Sequence, residues 1–174
     1  MDWMQTLLDV IDFRSFSSLW FWILVALAWS AASQRVLGIP YDLVLRARKQ
    51  GGQAVVDLED LVRIHVARQL DMARSAGLAL AGVASFALMA LLVLGLWYRV
   101  ELAQALLCLA VPMGIVAGMG LATARRIEAT RPEPDALYAL LVRHRLRVQG
   151  VALVALFATA AWGMWTNLQV LQGF

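Results

Sequence analysis

Four apolar runs, each about the length a helix needs to cross a bilayer, constrain this chain more than any other feature. They cover about 18–37, 78–98, 102–123 and 151–169. A helix rises 1.5 Å per residue, so roughly 20 residues match the hydrocarbon thickness. No charged residue or histidine lies at depth in any run, and Arg35 stands two residues from the end of the first. With 61% hydrophobic and 16% charged residues, the chain lies well outside the soluble norm of roughly 45–50% and 25%. The expected fold is all-α: an integral membrane four-helix bundle in one domain, with amphipathic cytoplasmic helices in segments 38–77 and 124–150.

Residues 1–17 mix Asp2, Asp9 and Asp12 with Trp3, Leu7, Leu8, Ile11 and Phe13. That pattern suits a short helix lying in the interface. Its acidic start differs from a secretory signal, which begins with basic residues.

Orientation follows from the basic residues. Of the 15, all but Arg14 and Arg99 lie in the two polar segments and their flanks. Positive charge is retained on the cytoplasmic side, which places both polar segments in the cytoplasm and both termini on the opposite side of the membrane. Trp20, Trp22, Trp97, Trp162 and Trp165 collect toward the opposite face as an interfacial belt. The net charge of +3 is divided among patches beside apolar runs, which suits lipid headgroups. No groove-reading motif points to nucleic acid.

The segment 41–77 is the longest polar stretch. Pro40 suits a helix start, and Arg46, Arg48 and Lys49 suit its C-terminal end. Gly51-Gly52 then breaks it. From Gln53 the period is helical again. Leu58, Leu61, Val62, Val66 and Ala73 share one face, with Asp57, Asp60, Arg68 and Asp71 opposite. Glu59 and Arg63 are spaced for an ion pair. This second helix is expected to pack on the cytoplasmic end of the bundle or on a partner, and to run through Gly77 into the second span.

His65 and His144 are the only histidines, each on the apolar face of its segment, His65 beside Gln69. Two readings stay open: a metal, haem or pH-sensitive site at the cytoplasmic face, or imidazoles satisfied by local hydrogen bonds. Ala110, Gly114, Gly118 and Ala122 form a strip of small residues that lets another helix approach, either one within the chain or one from a partner. Arg46, Arg48, Lys49, Arg125, Arg126, Arg143, Arg145 and Arg147 are candidate lipid-headgroup contacts. Cys108 is the single cysteine and lies in a span, so the chain forms no internal disulfide and has too few thiols for an iron–sulfur cluster. No cofactor is expected.

Gly51-Gly52-Gln53-Ala54, Asp57-Leu58-Glu59-Asp60-Leu61-Val62-Arg63-Ile64 and Thr123-Ala124-Arg125-Arg126-Ile127-Glu128-Ala129 resemble small multi-pass membrane proteins of alphaproteobacteria. Asp12-Phe13-Arg14-Ser15-Phe16-Ser17, Leu19-Trp20 and Trp162-Gly163-Met164 are similar too, so the resemblance covers nearly the whole chain. Those proteins carry the label "component of SufBCD complex", which implies a link to iron–sulfur assembly. The family brings no catalytic residues with it. The expected function is a non-catalytic accessory, scaffold or docking subunit, with the bilayer and a protein partner or second copy as partners. The alternatives are a membrane enzyme or a metal or haem carrier using His65 and His144, and a small transporter. A transporter is disfavoured by the lack of ionisable groups at depth.

Overall fold

A computed structural model describes residues 19–171, and the expected interfacial helix at 1–17 lies outside them. The described chain is almost entirely helical. It comprises α1 (Leu19–Gln34), strands β1 (Arg35–Val36) and β2 (Ile39–Pro40), and α2 (Tyr41–Gln50), α3 (Gln53–Leu92), α4 (Glu101–Thr130) and α5 (Pro134–Leu171).

The first helix stops at Gln34, short of the apolar run's end. Arg35–Pro40 instead folds into a hairpin, with Arg35 opposite Pro40 and Val36 opposite Ile39. Its two turn residues, Leu37 and Gly38, have φ of +54° and +87°. Positive φ at both centres suits the right-handed twist of a two-residue hairpin. Glycine does this freely, whereas a leucine there is strained.

Gly51 and Gly52 also have positive φ and end α2, and the Gly51 N–H donates to the Ala47 carbonyl at 3.0 Å. Past them, α3 runs through Gly77 without a break. It finishes in a π-helical turn, Val93–Trp97. Neither α4 nor α5 stops where its apolar part meets its charged part, since no cap or proline interrupts the helical period there. Arg131, with φ of +42°, ends α4, and its N–H donates to the Ile127 carbonyl. Pro132 and Pro134 then separate α4 from α5. Among the described residues three helices, α3 to α5, are long and apolar enough to cross a membrane; α1 is apolar but only 16 residues long.

Buried side chains concentrate at the charged end. Val36, Ile39, Val44, Ala47, Leu58, Val62, Val66, Leu70, Ala124, Ile127, Leu137 and Leu141 form one core joining the hairpin, α2 and the polar parts of α3, α4 and α5. Leu58, Val62, Val66 and Leu70 recur every fourth residue, so one stripe of α3 is buried. The apolar halves hold a smaller core in which Val25 and Trp29 of α1 meet Ala152 and Ala155 of α5. The most hydrophobic stretch of α3 has no residue buried among the described residues.

At the far end Gln104 ties three helices together. Its amide donates to the Gly95 carbonyl in the π-helical turn at 2.8 Å and accepts from the Trp162 indole at 3.0 Å. Gln104→Leu leaves both partners without this bond. We expect about 2 kcal/mol of lost stability in thermal unfolding, against little change for Gln53→Leu, whose only partner is the exposed Asp57.

Candidate functional site

The histidines meet at one cleft. The hairpin, α1, α3, α4 and α5 enclose about 420 Å³, lined by Arg35, His65, Arg68, Gln69, His144 and apolar neighbours that include Leu37 and Ala117. His65 and Gln69 are four apart and Arg68 three beyond His65, so one face of α3 presents all three. The hairpin turn lies against that face. A Cβ on Gly38 would stand 3.0 Å from His65 Nδ1, and Leu37 reaches toward Gly120 of α4.

His144 is 5% exposed. The Thr123 hydroxyl donates its one proton to the Met119 carbonyl at 2.9 Å. Its 3.1 Å contact with His144 Nδ1 is satisfied by the tautomer in which that nitrogen donates. In the neutral ring Nε2 then keeps its lone pair. Burial, and secondarily the Arg147 charge, hold the His144 imidazole below its usual range. Gln69 Oε1 is buried without a hydrogen-bond partner.

The depressed His144 value has a thermodynamic consequence. Below about pH 6.5 the unfolded chain takes up the proton more readily than the folded one, so folding loses stability on acidification. Arg147, one turn along the same helix, adds to the cost of a charged ring. Thermal unfolding is expected to be flat above that pH and to fall below it. His144→Asn should flatten the acid limb, and an unchanged limb would place the titration elsewhere.

A metal held by these imidazoles would sit beside two guanidinium groups that have no acidic partner among the described residues. No carboxylate lines the cleft, and no group of three or more His, Cys, Asp or Glu converges among the described residues. The charge of the cleft thus disfavours a bound cation.

The other expected residues lie apart from it. Gly114, Gly118 and Ala122 are exposed, and a Cβ on either glycine would meet nothing within 4 Å. Among the described residues the strip therefore has no close partner at these glycines, and half-buried Ala110 is its one covered member. Arg145 is engaged, its guanidinium 3.7 Å over the Tyr41 ring, which removes it from the freely exposed cations. Arg46 bonds Gln50, while Arg48 and Arg143 line a second cleft with Asp135 and Tyr138. Lys49, Arg125, Arg126 and Arg147 are exposed. Arg63 pairs with Asp60 at 2.9 Å in place of the expected Glu59. Arg74 makes a bidentate bridge to Glu128 across α3 and α4, which the sequence did not signal.

Two further concavities frame the structure. On the charged end, a groove of about 530 Å³ has Val62, Val66, Ile127 and Leu137 as its floor and Glu59, Arg63, Glu128 and Arg131 at its rim. Between the apolar halves of α4 and α5 runs an open groove of about 730 Å³, lined by apolar side chains with Cys108 and Thr159, and with Arg147 at one end.

No protein-family model, curated protein or solved structure matches this chain.

Proposed function

We propose that the chain is a four-span protein of a bacterial inner membrane that serves as a non-catalytic docking subunit. Its packed charged end is a cytoplasmic platform, and both termini are periplasmic. The observation that carries this reading is the placement of the main core. It lies where the basic residues collect, so the amphipathic helices bury their apolar faces against one another. Positive charge held at that end supports a cytoplasmic position.

The groove of Val62, Val66, Ile127 and Leu137 has an apolar floor and a rim of both charge signs, the arrangement of a protein-recognition patch. The α4–α5 groove gives a transported ion no string of polar ligands. The family resemblance makes iron–sulfur assembly proteins the first partners to examine.

Site-specific photo-crosslinking in intact cells tests this. A benzophenone side chain replacing Glu59 or Arg131 on the rim should yield one discrete product with the same partner, while the same probe at exposed Phe86 should not. Bare protein at both rim positions would contradict the docking role.

A further inference from the structure

We propose that the cleft between the hairpin and α3, α4 and α5 binds the phosphoglycerol headgroup of an anionic membrane lipid. Arg35 and Arg68 take the phosphate, and His144 Nε2 and Gln69 Oε1 accept from the glycerol hydroxyls. The inference rests on the membrane-spanning reading.

Three observations converge on that ligand class. Two guanidinium groups without an acidic partner among the described residues line the cleft, and no carboxylate does. Guanidinium matches phosphate oxygens in charge and geometry. The same cleft holds the orphaned, buried Gln69 oxygen and, in the tautomer whose Nδ1 donates to Thr123, the Nε2 lone pair of His144. A bare phosphate satisfies the arginines alone, whereas a phosphate diester bearing free hydroxyls satisfies both sets.

The third observation is position. Arg35 follows the apolar helix α1, and the cleft runs onto Ala117, exposed on the apolar part of α4. It thus straddles the level where charged and apolar surface meet, which is the depth of a phospholipid headgroup. The strained Leu37 and tightly placed Gly38 form its wall. Backbone strain of this kind persists where the surroundings hold it, commonly at ligand sites.

Native mass spectrometry of the full chain from mild detergent gives the test, with phosphatidylglycerol, phosphatidic acid and phosphatidylcholine offered at equal concentration. The wild type should retain phosphatidylglycerol over phosphatidylcholine by about 30-fold, two charges' worth. Arg35→Ala with Arg68→Ala should abolish that preference, while Arg63→Ala with Arg131→Ala, which removes equal charge outside the cleft, should keep it. Gln69→Leu should lose the preference for phosphatidylglycerol over phosphatidic acid and keep that over phosphatidylcholine. Equal losses in the two arginine pairs would mean diffuse attraction and overturn the site. Displacement by soluble glycerol 3-phosphate as effective as by the lipid would overturn the lipid source in favour of a free phosphate ester. Each variant is compared only where its thermal unfolding stays cooperative, and Arg35→Gln with Arg68→Gln replaces the alanine pair should that fail. Release of the wild type from membranes by alkaline carbonate would instead sink the membrane reading itself.

Discussion

Leu141→Ala is expected to destabilise the protein by about 3 kcal/mol, while Leu153→Ala on the same helix should change stability by less than about 0.5 kcal/mol. Both substitutions delete the same atoms from α5. Leu141 is 0% exposed in the core at the charged end, and Leu153 is 58% exposed on the apolar half. The deletion at Leu141 leaves a cavity among side chains fixed by five elements. At Leu153, lipid or detergent fills the space. Thermal or denaturant unfolding in one detergent compares the two directly. Equal losses would mean that the apolar halves carry as much of the packing as the charged end.

Gly38→Ala should have the second largest effect, about 3 kcal/mol, against about 1 kcal/mol for Gly51→Ala. Both glycines have positive φ, +87° and +64°, so an alanine at either is strained by the backbone. The positions differ in their surroundings. A Cβ at Gly51 meets nothing within 4 Å, whereas at Gly38 it stands 3.0 Å from His65 Nδ1. Combining Gly38→Ala with His65→Ala should recover the part due to that contact, measured as a double-mutant cycle. Similar losses at the two glycines, with no recovery, would show that the hairpin does not bear on the α3 face.

The apolar runs, the break at Gly51-Gly52 and the buried stripe of α3 were legible because each rests on local rules: length, positive φ and helical period. The same rules could not show the hairpin. Two-residue strands have no period to detect, and Leu37 occupies a position where glycine would be the expected signal. The His144–Thr123 bond was hidden because its partners lie on different helices, 21 residues apart. Small residues at Gly114 and Gly118 indicate that close approach is permitted; they do not say which helix makes it, and among the described residues none comes close. Arg63 had carboxylates both three and four residues before it, and the choice of Asp60 depends on rotamers that spacing does not encode. That His65 and His144 line one cleft follows from how α3 and α5 each pack on α4, although the sequence did place both on apolar faces.

The central claim is that the packed charged end lies in the cytoplasm. With Cys108 replaced by alanine, single cysteines at Gln50 and Arg99 report on opposite ends of α3. A membrane-impermeant maleimide applied to intact spheroplasts should label Arg99→Cys and leave Gln50→Cys unmodified until the cells are lysed. Labelling of Gln50→Cys in intact spheroplasts, with Arg99→Cys protected, would contradict the account.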